Sequence, residues 1–247
     1  MVLVNTFIVI IIIAFCAGIV AMIIDLFKNY SLHKSYGIYE RFIKRFLDAF
    51  FSTGATIVFL PILLVIALFV RVKLGAPVLF VQKRVGKKNK VFNLYKFRTM
   101  TNEVDENGDI LSDEMRSTRF GAALRSLSLD ELPEIINIIK GDMSIVGPRP
   151  LLPEYLPYYS ATEIHRHDVR PGLTGLAQIN GRSFLTWEQI FKYDLDYVNN
   201  VSLSNDFKIV IRTVLKVIKK ENIADTRKNN DDDSNRKVHK PLNIERQ

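Results

Sequence analysis

Apolar residues are concentrated in two long runs in the first third of the chain. The first run, Val2 to Ile24, consists mostly of Val, Ile, Phe and Ala and is long enough to cross the hydrocarbon core as a helix. It lacks the basic n-region and the small-residue cleavage site of a signal peptide, which is the alternative interpretation. No Lys or Arg precedes the run and several follow it, which places its C-terminal side in the cytoplasm. We predict an N-terminal transmembrane helix over residues 1–25.

The second apolar run, Ala49 to Val70, has basic residues beyond both of its ends. Because Lys and Arg favour the cytoplasmic side of a membrane, both ends are expected on that side. Pro61, in the middle of the run, removes one backbone donor and clashes with the preceding turn, so a kink or break is expected there. The pattern predicts a re-entrant membrane helix over residues 44–74, broken at Pro61. A straight span, with the following domain outside the cell, is the alternative.

The polar region that follows, residues 75–224, contains short apolar runs separated by turn residues. The runs Val78–Gln82 and Val91–Lys96 predict the two strands of a small β-hairpin, joined by a basic turn at Gly86. The last segment, residues 225–247, has almost no apolar side chains, and we expect it to be a disordered tail because it cannot bury enough surface to fold.

Apolar residues at helical spacing recur in three later segments. The first begins near Ser128, a candidate N-cap with Glu131 three residues further on, and ends at Gly141. Trp187–Asn199 and Phe207–Ile218 predict two more amphipathic helices. The basic face of the last one suits either a membrane interface or a packed helix with a solvated polar face. Together these elements predict an α+β fold that is mostly helical, is membrane-associated and contains a short β-hairpin.

Charge and cysteine content restrict the function further. The formal net charge of +8 favours an acidic partner, such as nucleic acid, anionic lipid or a phosphorylated substrate. The single cysteine, Cys16, excludes an intramolecular disulfide and a cysteine-based zinc site. Nucleic-acid binding is disfavoured, because the chain has no recognisable binding motif and no interleaving of aromatic and basic residues.

The common nucleotide-binding and nucleophile motifs are absent, including the Walker loop, the dinucleotide glycine fingerprint and the Gly-x-Ser-x-Gly elbow. Several arginines instead lie beside turn-forming residues, where a rigid backbone suits a guanidinium for binding phosphate oxygens. They are Arg98, Arg149, Arg170 and Arg182. Each of them alone is also compatible with a structural role.

Asp130 and Glu131 place two adjacent carboxylates at the predicted helix start. A helix N-terminus favours the ionised carboxylate and a phosphate bound beside it. One carboxylate can attack phosphorus to form an acyl phosphate, while its neighbour holds Mg²⁺. The same Ser-x-x-Glu spacing is also common in capping boxes, so the two residues alone leave both interpretations open.

Longer motifs carry a resemblance to a known family. They read SLDELP, KGDMSIVGPRP and VRPGLTG and lie at Ser128–Pro133, Lys140–Pro150 and Val169–Gly175, with shorter ones at Lys44–Asp48 and Lys96–Met100. In this order they closely resemble the bacterial sugar transferase family, the monotopic polyprenyl-phosphate phosphoglycosyl transferases. The resemblance covers about residues 44–223.

This resemblance implies an enzyme of the bacterial inner membrane, with a re-entrant helix and a catalytic domain on the cytoplasmic face. The implied reaction transfers a phosphosugar from a UDP-sugar to undecaprenyl phosphate, releases UMP, and begins the assembly of a surface polysaccharide or glycoconjugate. Asp130 matches the family's nucleophile, which carries the phosphosugar between two steps, and Glu131 matches its Mg²⁺-binding partner. Both carboxylates are therefore expected at the metal.

Further residues are assigned by position in the family. Arg125 lies on the approach to the nucleophile, and Arg149 and Arg182 match arginines expected at the substrate phosphates or in helix positioning. Asp194 is expected to pair with Arg182. Besides the two substrates and the bilayer, downstream glycosyltransferases and a second copy of the chain are expected partners. A non-catalytic membrane scaffold of the same fold is the rival class, and the intact pair of carboxylates argues against it.

Overall fold

The computed structural model describes residues 39–181 and 185–219. The predicted N-terminal span at residues 1–25 and the predicted disordered tail at residues 225–247 lie outside this part of the chain. Arg182 lies outside it as well.

One long apolar helix, α1, covers Lys44–Leu74 and follows a π-helical turn at Tyr39–Ile43. The turn and the helix together form a continuous segment of 36 residues, Tyr39–Leu74. Within the described ranges it is the one helix long and apolar enough to cross a membrane. Most large apolar side chains between Phe50 and Phe69 are exposed, and an uncovered apolar surface of this size indicates contact with lipid or with another protein. The helix assignment continues through Pro61, so the helix does not end there, and the predicted kink and re-entrant path stay predictions.

Both ends of α1 contact the polar domain. Near its start, Arg45 donates a hydrogen bond of 2.6 Å to the carbonyl oxygen of Ile138. Near its end, Val70 packs in an apolar cluster with Phe97 and Leu124. At about 1.5 Å per residue, a straight helix would separate Arg45 from Val70 by about 38 Å. One folded body therefore holds both ends of a helix whose apolar middle is uncovered.

The predicted hairpin is confirmed. β1, Leu79–Val85, pairs with antiparallel β2, Val91–Phe97, with each strand longer than predicted. A single 3-10 turn at Lys87–Asn89 connects them, and Lys88 and Asn89 adopt positive φ angles of 57° and 60°. This tight turn keeps the strands in register from end to end.

Shorter elements complete the domain. They are α2 Asp113–Arg116, α3 Arg119–Ser126, α4 Glu134–Lys140, β3 Ser144–Val146, β4 Gly172–Thr174, α5 Leu176–Asn180, α6 Trp187–Asn199 and α7 Leu203–Lys219, with 3-10 turns at Leu129–Glu131, Pro153–Tyr158 and Glu163–His167. Strands β3 and β4 pair in parallel. Helix α6 has the predicted bounds, and α7 begins four residues before the predicted start at Phe207. The prediction of a mostly helical α+β fold with a short hairpin is confirmed.

The segment before α4 differs from its prediction. Ser128 has a left-handed φ of 54° and makes no capping hydrogen bond, so its assignment as an N-cap is wrong. Helix α4 begins only at Glu134, after Pro133. Proline suits the first turn of a helix because its φ is fixed and its missing N–H would have no partner there. The predicted end at Gly141 is confirmed, with φ at 90°.

Helix α4 is held against the hairpin by a buried asparagine. The side-chain oxygen of Asn137 accepts from the backbone N–H of Tyr95 at 3.1 Å, and its amide nitrogen donates to the carbonyl of Asn93 at 2.7 Å. Asn137 is fully buried and satisfies backbone groups of β2 that face the helix rather than another strand. This contact fixes the position of the turn before α4, where Asp130 lies.

Candidate active site

A cluster of opposite charges surrounds the turn that carries Asp130 and Glu131. Glu131 Oε1 lies 2.7 Å from Lys96 Nζ, which comes from β2, and 2.9 Å from Arg149 Nη2, which follows β3. Lys96 Nζ also lies 3.2 Å from Oε1 of Glu134, at the start of α4. The hairpin, α4 and the segment after β3 thus bring their charged side chains to one place.

The three carboxyl groups of this cluster have different pKa values. Burial and the charge of Glu131 raise the pKa of Asp130 above its usual range. Burial also opposes the ionisation of Glu131, but the charges of Arg149 and Lys96 outweigh it and hold its pKa well below the usual range. Burial and the charge of Glu131 raise the pKa of Glu134 to about 7. Glu131 therefore stays ionised at neutral pH, and the ionised form of Asp130 is the less stabilised of the adjacent pair.

The backbone of Arg149 is conformationally restricted, while its side chain is partly exposed. It lies between Pro148 and Pro150, which restrict the backbone on both sides. Its guanidinium contacts Glu131, yet 47% of its side chain remains exposed. The predicted phosphate ligand is thus beside the carboxylate pair and accessible to a substrate.

Arg125, near the end of α3, has neutral hydrogen-bond partners. Its Nη1 donates to the hydroxyl of Thr99 at 2.9 Å, and its Nη2 donates to the hydroxyl of Ser117 at 2.8 Å. Neither partner neutralises its charge. The side chain is only partly buried and lies in the helix that leads into the turn of Asp130. Its position is compatible with the predicted contact to an anionic substrate.

Two of the arginines predicted to bind phosphate donate hydrogen bonds to backbone carbonyls at or just beyond the ends of helices. Arg98 is 5% exposed and donates to the carbonyl oxygens of Ala76, at 2.8 Å, and Leu74 at the end of α1. Arg170 donates from Nε to the carbonyl of Gly141, at 2.9 Å, at the end of α4. Carbonyl groups at a helix C-terminus lack helical partners and carry partial negative charge, which a guanidinium stabilises. Arg98 and Arg170 thus have structural partners, and their expected role in binding phosphate stays a prediction.

Asp194 is buried in α6 and pairs with Arg166, a residue that sequence reasoning missed. The distance from Asp194 Oδ2 to Arg166 Nη2 is 2.6 Å. Its expected partner, Arg182, lies outside the described residues. A signal was available in the sequence, because Asp194 shares a helix face with Tyr197 and Val198. A carboxylate on a buried face requires a partner.

The adjacent carboxylates are suited to Mg²⁺. No group of three or more metal-binding side chains lies together within residues 39–181 and 185–219. Magnesium, however, usually uses one or two carboxylates and completes its shell with water and substrate phosphates. Asp130 and Glu131 offer such a pair, and both cations contact Glu131 through the same oxygen, Oε1. The donor set therefore fits a magnesium ion bound together with a phosphorylated substrate.

A partly buried carboxylate pair next to lysine and arginine is a site suited to phosphoryl transfer, and comparisons with known proteins agree. Residues 39–220 match the family model described as bacterial sugar transferase. The "Uncharacterized sugar transferase EpsL" of Bacillus subtilis (strain 168) is 50% identical over 184 residues, covering 73% of this chain and 91% of that protein. A UDP-glucose:undecaprenyl-phosphate glucose-1-phosphate transferase of Caulobacter vibrioides is 39% identical over 191 residues, covering 72% of this chain and 71% of that protein.

A third relative differs in length. The UDP-N-acetylgalactosamine-undecaprenyl-phosphate N-acetylgalactosaminephosphotransferase of Aeromonas hydrophila is 36% identical over 189 residues, covering 72% of this chain but 44% of that protein. The chain belongs to the bacterial sugar transferase family, as its motifs predicted. The predicted enzyme class, phosphoglycosyl transferase, is likewise confirmed.

Proposed function

We propose that the protein transfers a phosphosugar from a UDP-sugar to undecaprenyl phosphate and releases UMP, beginning the assembly of a surface polysaccharide or glycoconjugate. The observation that carries this proposal is the turn with Asp130 and Glu131, beside which Lys96 and Arg149 lie within 2.9 Å of a carboxylate oxygen. The names of the C. vibrioides and A. hydrophila relatives supply the classes of donor and acceptor.

In the first proposed step, a carboxylate oxygen of Asp130 attacks the sugar-bearing phosphorus of the donor. The bond from that phosphorus to the UMP oxygen breaks, and UMP leaves with the electron pair. Because burial and the charge of Glu131 disfavour the ionised form of Asp130, this carboxylate is held in a reactive state. Arg149 and Lys96, which lie beside this carboxylate pair, would stabilise the negative charge on the phosphate oxygens.

In the second step, an oxygen of the lipid phosphate attacks the same phosphorus. The bond to Asp130 breaks, which restores the carboxylate and leaves a lipid-linked diphosphosugar. Asp130 and Glu131 would hold Mg²⁺, which when bound supplies positive charge to the diphosphate oxygens. Arg149 and Lys96 keep Glu131 ionised for that purpose.

The proposal also requires the nucleophile to lie at the membrane surface, because the acceptor is dissolved in the bilayer. Val70, near the end of α1, belongs to an apolar cluster that includes Leu129 and Leu132, the residues on either side of the carboxylate pair. Both ends of α1 contact the domain, and its middle is exposed. We infer that α1 enters and leaves the membrane on one face, with a bend at Pro61. Basic flanks make that face the cytoplasmic one.

The function is tested by measuring UMP release from protein purified in detergent. The donors are UDP-glucose, UDP-galactose and their N-acetylated forms, each with Mg²⁺ and with or without undecaprenyl phosphate. We expect sustained release with one donor, dependent on the lipid, and sugar phosphate recovered on the lipid. Folded protein that releases no UMP from any of these donors would contradict the proposal and favour the scaffold alternative.

The re-entrant path is tested by labelling single cysteines with a membrane-impermeant maleimide. In a Cys16→Ser background, Arg41→Cys marks the exposed turn just before α1, Lys73→Cys marks the C-terminal end of α1, and Val58→Cys marks its apolar middle. We expect both end positions to react in inverted vesicles and neither in intact spheroplasts. The middle position is the control and should stay unlabelled in both preparations. Reaction of one end from each side would show a spanning helix.

A further inference from the structure

The backbone of Arg149 is held by a buried ion pair. Arg166 donates from Nη2 to the carbonyl oxygen of Arg149 at 2.8 Å. The same guanidinium donates to Asp194 Oδ2 from Nε at 3.0 Å and from Nη2 at 2.6 Å. The side chains of Arg166 and Asp194 are 1% and 2% exposed. One buried arginine therefore joins α6 to the segment that carries the exposed arginine of the active site.

A second arginine holds the next carbonyl of this segment. Arg84, from β1, donates from Nη1 to the carbonyl oxygen of Pro150 at 3.1 Å and from Nη2 to Gln82 Oε1 at 2.7 Å. The prolines on both sides of Arg149 have no N–H to donate, so hydrogen bonds to the carbonyls contribute much of what holds this segment. Two consecutive carbonyls thus have guanidinium partners from two different elements.

The environment of Arg166 makes a second orientation of its side chain unfavourable. Its guanidinium lies 5.9 Å from the ring centre of Tyr159 and 5.8 Å from that of Phe191. Its planar fork matches both the carboxylate and the carbonyl, which a lysine ammonium cannot do from one position. The chain of contacts then runs from Asp194 through Arg166 to the backbone of Arg149, and through the Arg149 side chain to Glu131.

We propose that Arg166 and Asp194 are positioning residues for the transfer reaction. They fix the backbone of Arg149 so that its guanidinium meets Glu131 and the donor phosphate in one geometry. Their contribution is expected in kcat/KM for the UDP-sugar, because small displacements of a phosphate-binding group lower the rate strongly. This inference rests on the proposed function, but it concerns residues that contact neither substrate.

The first test is Arg166→Lys, which keeps a positive charge beside Asp194 but cannot reach the carbonyl of Arg149 at the same time. We expect kcat/KM for the UDP-sugar to fall about tenfold in protein that is folded at the assay temperature, with a lower thermal unfolding midpoint in detergent because a buried hydrogen bond is lost. The matched control is Arg212→Lys, the same substitution at an exposed position of α7, which should leave both values unchanged. An unchanged kcat/KM in folded Arg166→Lys would overturn the proposal.

A double-mutant cycle separates positioning from general support of the fold. We expect Arg149→Lys alone to lower kcat/KM about 100-fold, and the addition of Arg166→Lys to lower it by no more than about twofold further. Asp194→Asn, which keeps an oxygen for Arg166, should show the same loss of additivity if Arg166→Lys does not fold. A full tenfold penalty in the Arg149→Lys background would overturn the positioning role alone. No turnover by the wild type would overturn the proposed function with it.

Discussion

Replacement of Asp130 by asparagine is expected to reduce UMP release by at least about 10³-fold. An amide cannot form the acyl phosphate that the proposed first step requires. The change should leave the fold intact, because asparagine has nearly the same shape and the Asp130 carboxylate is destabilised rather than stabilised by its surroundings. Initial rates of UMP release and thermal unfolding, measured on the same preparations, check both parts of the prediction.

The control for this prediction is Asp113→Asn, the same substitution at a side chain that is 70% exposed in the α2 segment. Mass spectrometry gives a second readout. After incubation with the donor and no lipid, the wild-type peptide containing Asp130 should gain the mass of one sugar phosphate, and the Asp130→Asn peptide should not. Transfer by Asp130→Asn at the wild-type rate would falsify the nucleophile assignment.

Glu131→Gln is expected to lower the rate about 100-fold and to raise the half-saturating Mg²⁺ concentration about tenfold. A glutamine oxygen can still accept hydrogen bonds from Lys96 and Arg149, so the geometry is retained and the negative charge is lost. The rate is measured over a series of Mg²⁺ concentrations. Glu106→Gln, on an exposed turn, is the matched control and should behave as the wild type. A wild-type Mg²⁺ response in Glu131→Gln would remove this residue from the metal site.

The acidic limb of the rate profile of Glu131→Gln is expected to move in a defined direction. Asp130 must be ionised to attack, so the rate should fall at acidic pH as its carboxylate becomes protonated. The charge of Glu131 is one of the causes that raise the pKa of Asp130. Its removal lowers that pKa, and the acidic limb of the rate profile should move to lower pH. A limb that moves to higher pH would show that another group controls it.

Local patterns predicted those elements whose determinants lie close together in the sequence. The hairpin followed from two short apolar runs on either side of a basic turn, and α6 from helical spacing. The N-terminus before α4 was predicted wrongly because Ser128 and Glu131 match a capping box, while Pro133 two residues further on decides where the helix begins. The terminating glycine, Gly141, was predicted because a left-handed residue at that position has few alternatives.

The charged site was only partly predictable. The pair of adjacent carboxylates was visible as a motif, but their cations come from distant positions, with Lys96 separated from Glu131 by 35 residues. The same holds for Arg166, which lies 28 residues from Asp194. An arginine beside a turn serves a phosphate and a helix end equally well, and only the fold shows which of the two it contacts. Periodicity carries no information on such pairings.

The lengths of the two halves of α1 limit how deep into the bilayer this helix can reach. The apolar stretch on each side of Pro61 contains about 9 to 12 residues, which as helix measure about 14 to 18 Å, close to the thickness of a single hydrocarbon leaflet. On the proposed path, α1 therefore contacts lipids of one leaflet almost exclusively. The insertion of α1 should depend on the packing of that leaflet and should be insensitive to the total thickness that sorts spanning helices among membranes.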